Sequence, residues 1–272
     1  MTIGDWITLA VDRLEQVGVG SARLDADLIL AHILCVPREQ VLTHPEDSLP
    51  RAKVTEANRL LAARLERRPL VHLTGQREFY GLNFKITPEV LTPRVETEDM
   101  VEVVIKSAPK NGHLLDVGTG SGAIAIAIKK HRSDLLVTAS DVSHEALEVA
   151  KRNARKHATQ IKFVQSDLFS AVSGQFDVIT ANLPYLRDDA ELMPEVGYEP
   201  KVALLGGTDG LELYRIFIGS IKSHLKTGSF VLIEADPWQH ADIIKLARPV
   251  GLNVLKDDYF ILTLKFASNS PS

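Results

Sequence analysis

The sequence predicts an α/β protein: a doubly wound, mostly parallel sheet of seven strands, preceded by a small helical domain and a β-hairpin linker. Three observations carry that prediction. From Asn111 onward, short apolar runs alternate with amphipathic stretches, so strand and helix take turns. The first of those runs leads into the glycine turn Asp116-Val-Gly-Thr-Gly-Ser-Gly-Ala123, which opens a helix. Before Arg68 the apolar residues recur at helical spacing instead.

The elements follow in order. Trp6, Ile7, Ala10, Val11 and Leu14 form one face of a helix over 4–17. Ser21 is placed to cap a second helix carrying Leu24, Leu28, Ala31 and Cys35, and Pro50 to start another with Val54, Leu60, Leu61 and Leu65. That last helix and its exit carry Arg51, Lys53, Arg59, Arg64, Arg67 and Arg68, which read first as a solvated basic face. In EFYGLNFK, aromatic and polar residues alternate around Gly81 and Asn83, which predicts a hairpin. Pro88 and Pro93 punctuate the chain before a helix over 96–107. Strands are expected at 113–117, 135–139, 161–164, 176–180 and 229–234, with helices over 123–130 and 144–157 between them. NVLKDDYFILTLKF supplies two adjacent strands, and the closing ASNSPS is expected to fray. The domain boundaries are thus 1–75 for the helices, 76–92 for the hairpin linker and 93–272 for the sheet domain.

Composition narrows the function classes. The 272 residues are 45% hydrophobic and 24% charged, the balance of a globular protein. A formal net charge of -4 provides no global basic field of the kind that attracts nucleic acid. Cys35 is the single cysteine and sits in an apolar run, so a core thiol is expected, and no disulfide framework or cysteine zinc site follows from it. The histidines show no metal-binding spacing, so no metal is expected; His72, His131 and His224 read as helix caps or solvent-facing rings. The amino terminus lacks a basic-then-apolar leader and no apolar run approaches the ~20 residues that span a bilayer. A cytoplasmic protein is expected.

The strongest local signal is the glycine turn. Gly118, Gly120 and Gly122 follow a strand and precede a helix, so backbone can approach a ligand closely and donate N–H groups. Asp141 ends the next strand, about twenty residues on, where an acid accepts from ribose hydroxyls. Ser166-Asp-Leu-Phe169 follows the third strand, where Asp167 can accept from an adenine amine and Leu168 can pack on its ring. The loose pattern Gly118, Gly120, Ala123 also suits a dinucleotide, so a dehydrogenase is an alternative. Asp116 tips the balance: a carboxylate just before the first glycine suits a cofactor carrying an ammonium group, such as S-adenosylmethionine.

Thr180-Ala-Asn-Leu-Pro-Tyr-Leu186 continues the fourth strand of the sheet. The ends of the first, second and fourth strands meet at the topological switch point, where ligands bind. A planar amine is a poor nucleophile because its lone pair is delocalised. Two acceptors aimed at its hydrogens favour the pyramidal, partly positive nitrogen of the transition state. The side-chain oxygen of Asn182 and the backbone carbonyl of Leu183 can be those acceptors. Pro184 stiffens the loop, and Tyr185 can hold a planar group against its ring.

These residues resemble the release-factor glutamine methyltransferase family (PrmC/HemK), class I S-adenosylmethionine-dependent methyltransferases, over nearly the whole chain. ARLDADLILAHIL and LTHPE resemble that family's amino-terminal domain, and RRPLVHLTGQREFYGLNFKITPEVLTPRVETE its linker. LLDVGTGSGAIAIAI, QSDLF, FDVITANLPYL and YEPKVALLGGTDGLELYR follow in the family's order. The resemblance implies a seven-stranded methyltransferase sheet and methylation of the glutamine side-chain amide in a release factor's Gly-Gly-Gln motif. It implies S-adenosylmethionine near Gly118, Thr119, Gly120, Ser121, Gly122, Asp141, Leu168 and Asn182, with Asn182, Leu183, Pro184 and Tyr185 holding the glutamine. The partner implied is a release factor docked with help from the helical domain, with no membrane and at most indirect RNA contact, by a monomer. Departures from the family are Leu183 for the first proline of Asn-Pro-Pro-Tyr, Ala235-Asp236 after Glu234, and a closing segment without the usual Asp-x-x-Gly-x-x-Arg. They keep two alternatives open: methylation of an exocyclic amine of RNA, and a donor-binding partner protein with impaired catalysis.

Overall fold

The structure, a computed structural model, describes residues 1–267, and the end expected to fray lies outside the described residues from 268 on. It divides into two compact units, Met1–Gln76 with Leu192–Tyr198, and Arg77–Glu191 with the chain from Glu199. Among the described residues no helix is long and apolar enough to cross a membrane.

The first unit is helical: α1 (Ile3–Gln16), α2 (Ala22–Leu34), α3 (Arg38–Thr43), α4 (Arg51–Leu65) and α5 (Leu70–Thr74). Thr2 and Asp5 close a capping box at the start of α1, each side chain accepting from the other's backbone N–H. Trp6, Leu14, Ile29, Leu30 and Leu61 fill the core, and the Trp6 indole donates to Asn58 Oδ1 at 2.8 Å. Two expectations are corrected here. Cys35 is exposed, because α2 ends at Leu34 and Cys35 takes the left-handed conformation that turns the chain away. Arg64 is not part of a solvated face. It is buried, its Nε 2.6 Å from Asp25 and its Nη2 2.9 Å from Glu195, which Arg67 also grips at 2.7 Å. A buried guanidinium persists only when carboxylates compensate it, and here they come from helix α2 and from the distant segment Leu192–Tyr198.

The second unit opens with the hairpin β1 (Gln76–Phe79) and β2 (Leu82–Lys85). Tyr80 and Gly81 both take positive φ, 50° and 71°, as a two-residue hairpin turn requires. There follow α6 (Glu98–Ser107), β3 (His113–Val117), α7 (Ala123–His131), β4 (Leu136–Asp141), α8 (His144–Lys156), β5 (Lys162–Gln165), β6 (Phe176–Ala181), α9 (Glu212–Ile221), β7 (Leu225–Glu234), α10 (His240–Ala247), β8 (Leu252–Asp258) and β9 (Ile261–Phe266). The seven-stranded sheet runs β5-β4-β3-β6-β7-β9-β8, with the first five parallel and β9 antiparallel to both neighbours. The tail is the expected adjacent pair. The chain winds outward from β3 through β4 to β5, then crosses back to β6, so the switch point lies between β3 and β6. α7 is buried from Ala123 through Ile128, which explains its run of alanine and isoleucine. His131 is exposed at the end of α7, its Nδ1 2.9 Å from Ala127 O and its ring edge-on to Tyr80 at 5.1 Å, while the partly buried His224 stacks on Phe169 at 4.6 Å.

Candidate active site

At the carboxyl ends of β3, β4 and β6 a cavity of about 260 Å³ opens. Gly118, Gly120, Asp141, Asp167, Leu168, Asn182, Leu183 and Pro184 line it, all anticipated from sequence. Asp116, Thr119, Ser121, Gly122 and Tyr185 do not. Each of these has an observable occupation elsewhere.

Asp116 differs most from expectation. It is fully buried at the end of β3, where its carboxyl accepts from the Thr119 hydroxyl at 2.6 Å and the Thr180 hydroxyl at 2.8 Å. Burial pushes its pKa up to about 6, against the pull of those two hydroxyls. The carboxyl therefore braces the glycine turn against β6 from behind, with no oxygen on the cavity wall. Thr119 also donates its backbone N–H to Ser140 at 2.9 Å, and the Ser121 carbonyl accepts from Asn153 at 2.9 Å. Gly122 is required by packing, since a Cβ there would stand 2.9 Å from Ile126 and 3.1 Å from Ala150. Asn153 further binds both backbone groups of Lys85, at 2.7 and 3.0 Å, and so ties the hairpin to this turn through α8.

The cavity wall has a polar and an apolar side. Asp141 Oδ2 accepts from Gly120 N at 2.8 Å and Oδ1 from Ser143 N at 2.9 Å, so the acid is locked in place with lone pairs to spare. Burial raises its pKa, opposed by those backbone donors. Leu168 is held at φ 45°, a left-handed conformation that costs an ordinary residue about 1–2 kcal/mol. Gly118, at φ 72°, is where a Cβ would press on Leu183 Cδ2 at 3.2 Å, closing the gap between turn and loop. An apolar wall, a fixed carboxylate and an exposed backbone turn fit a nucleoside with a polar tail. Asp141→Ala is expected to weaken donor binding about 10–30-fold, roughly 1.4–2 kcal/mol, in calorimetry at unchanged melting temperature. Unaltered affinity would mean that no ribose is read there.

The Asn-Leu-Pro-Tyr loop is braced from below by Leu204, Gly206 and Gln239. Leu186 N donates to Leu204 O at 3.0 Å and Gly206 N to Leu186 O at 2.7 Å. Fully buried Gln239 donates through Nε2 to Tyr185 O at 3.0 Å and to Gly210 O at 3.1 Å. The half-buried Tyr185 ring packs against the core, and burial beside Glu234 and Asp236 pushes its pKa up to about 12, so the phenol stays neutral. Leu183 is buried; its carbonyl lies 3.3 Å from the Tyr214 hydroxyl, which has a single proton and a closer acceptor in Glu234 O. Asn182 Nδ2 donates to Thr97 Oγ1 at 3.4 Å, which turns Oδ1 the other way.

Sequence reasoning missed Glu89, Val90 and Leu91, which follow the hairpin, and Val202 and Ala203, all of which line the cavity. The only available signal was an apolar stretch between Pro88 and Pro93 without a strand or helix pattern. It also missed Glu199, a buried acid that accepts from Arg94 at 2.5 Å and from Thr92 N at 3.4 Å, and so holds the chain entering α6.

A cavity of this chemistry, at the switch point of a sheet with this strand order, belongs to an S-adenosylmethionine-dependent methyltransferase, and S-adenosylmethionine is the methyl donor. Comparison with known proteins makes the assignment narrower. Residues 5–75 match the family model described as PrmC N-terminal domain, and residues 96–197 that of the Methyltransferase small domain. A release factor glutamine methyltransferase of Koribacter versatilis is 36% identical over 87% of this chain and 89% of its own length. That of Deinococcus radiodurans is 36% identical over 92% of both. The chain belongs to the release factor glutamine methyltransferase family. Among solved structures, a methyltransferase from Pyrococcus furiosus overlays 77% of this chain with a TM-score of 0.53 at 22% identity, a likeness of fold.

Proposed function

We propose that this chain methylates the side-chain amide nitrogen of the glutamine in the Gly-Gly-Gln motif of a peptide chain release factor. The observation that carries this reading is that Asn182 and Leu183 line the cavity while Asn182 Nδ2 is engaged by Thr97 Oγ1, which leaves Asn182 Oδ1 to accept from a substrate amide. The names of the relatives support the substrate class.

Gly118, Gly120, Asp141, Asp167 and Leu168 would hold the donor, which supplies an electrophilic methyl group on a sulfonium sulfur. The chain's own work is on the acceptor. Asn182 Oδ1 and Leu183 O take the two amide hydrogens and draw the nitrogen out of conjugation as its lone pair turns to the incoming carbon. The methylated nitrogen passes one proton to water. Pro184 and the braced loop hold both oxygens still, so little reorganisation is needed during reaction. A backbone carbonyl is supplied equally well by Leu183 as by proline, so the family's first proline is dispensable for this role. The helical unit, 1–75, would dock the release factor, with Arg51 and Arg59 of α4 among its exposed cations.

The test is to incubate the protein with labelled donor and, in parallel arms, a release factor and ribosomal or transfer RNA, then locate the label by mass spectrometry. Label on the Gly-Gly-Gln glutamine is the expected result. Label only on RNA, or on neither, would overturn the assignment.

A further inference from the structure

Glu234 ends β7 and is 2% exposed, a buried acid to which no cation is bound among the described residues. The parallel register that pairs Ala181 with Ile233 places Asn182 and Glu234 next to each other as the two strands end. The Glu234 carboxyl faces the side chains of Thr97 and Asn182. Its Oε2 is buried and has no hydrogen-bond partner among the described residues, an arrangement proteins seldom retain without a use. Asn182 Nδ2, in turn, points at Thr97 Oγ1. We propose that Glu234, with Thr97, is a positioning residue: it holds the Asn182 amide with nitrogen inward, so that Oδ1 is the atom offered to the methyl acceptor. This rests on the reading of Asn182 as an acceptor for the substrate amine.

The physical reason is that an amide has two nearly isosteric orientations with opposite polarity at the front. Turned around, Asn182 would set its oxygen against a carboxylate oxygen and would present two N–H donors to a substrate nitrogen that needs acceptors. A carboxylate behind the amide makes the wrong orientation repulsive. A protonated carboxyl does not, since its O–H can donate to Asn182 Oδ1 and support the reversed amide. Orientation is therefore coupled to the charge on Glu234. Burial, with Glu96 nearby, pushes that group's pKa up to about 7, opposed by the Thr97 and Asn182 side chains and by Arg94. The other groups around it are the Tyr185 and Tyr214 phenols, both held neutral by burial. The sign is that of an acid raised above its ordinary 4.5: the orienting carboxylate is present above about pH 7 and is lost as pH falls through it.

The experiment follows the Asn182 side-chain N–H pair by nitrogen-15 NMR in the full-length protein with donor bound and no acceptor added, assigned by its absence in Asn182→Asp. In the wild type the pair is expected to shift with a midpoint near pH 7, and in Glu234→Gln to stay put. An Asn182 pair indifferent to pH across 5.5–8.5 in the wild type would overturn the proposal, and that measurement needs no variant to fold. Kinetics give the second readout. Wild-type kcat should fall about tenfold per pH unit below the midpoint. Glu234→Gln should lower kcat at pH 8 about tenfold, flatten that limb and leave KM for the acceptor within about twofold. A Glu234→Gln enzyme keeping both full kcat and the acid limb would also refute it. Because the NMR titration requires no methyl acceptor, failure of the substrate assignment and failure of this inference are separately visible.

Discussion

Asn182→Ala is expected to reduce kcat by about 10²–10³-fold, the loss found when one preorganised partner of a developing charge is removed. On the proposed reading the side chain would supply one of two acceptors, while Gly118, Gly120, Asp141 and Leu168, which line the same cavity, would hold the donor without it. Donor affinity should therefore stay within about tenfold, roughly 1.4 kcal/mol. Single-turnover rates with saturating donor, beside calorimetric donor binding, separate the two quantities. Turnover retained at wild-type rate would remove Asn182 from the chemistry, and a parallel collapse of donor binding would make it a cofactor contact instead.

Gly206→Ala is expected to cost about 10²-fold in kcat/KM, although residue 206 lies outside the cavity lining. A Cβ at this position would stand 2.4 Å from Pro184 O and 2.9 Å from Gly210 O, distances no pair of such atoms sustains. One of the two loops must yield. Gly206 also donates to Leu186 O at 2.7 Å, so displacement passes directly into the Asn-Leu-Pro-Tyr loop. A shift near 1 Å in the two acceptors is enough for the stated loss. Gly219→Ala is the control: it lies within α9 with open space around it, so activity should be unchanged and stability unchanged or raised by up to about 1 kcal/mol. Equal activity in the two variants would mean that the glycine-rich turn at 206–210 does not brace the loop.

How much of this was legible beforehand depends on the range of the interactions involved. Strand and helix alternation, the hairpin at Tyr80-Gly81 and the glycine turn depend on residues close in the chain, and each was visible as periodicity or turn chemistry. The switch point followed from strand order, and it brought Gly118, Asp141, Leu168 and Asn182 to one cavity as anticipated. Side-chain partners were a different matter. Asp116 looked like a ligand for a cofactor's ammonium group, but it is fully buried behind the glycine turn and does not line the cavity. Arg64 looked solvated, but Asp25 and Glu195 enclose it. Cys35 looked buried, but a left-handed helix end turned it outward.

The amino-acid order by itself determined the sheet class, the helical preface, the glycine turn and the Asn-Leu-Pro-Tyr loop after the fourth strand, because these are written in local pattern. Only the tertiary structure decided which polar groups remain available for a ligand and which are consumed in holding the fold. That decision turns on hydrogen-bond partners far apart in sequence, as when Gln239 reaches Tyr185 and Glu234 comes to stand beside Asn182. A buried polar atom must find its partner wherever the fold brings one, and the chain's local pattern does not record where that will be.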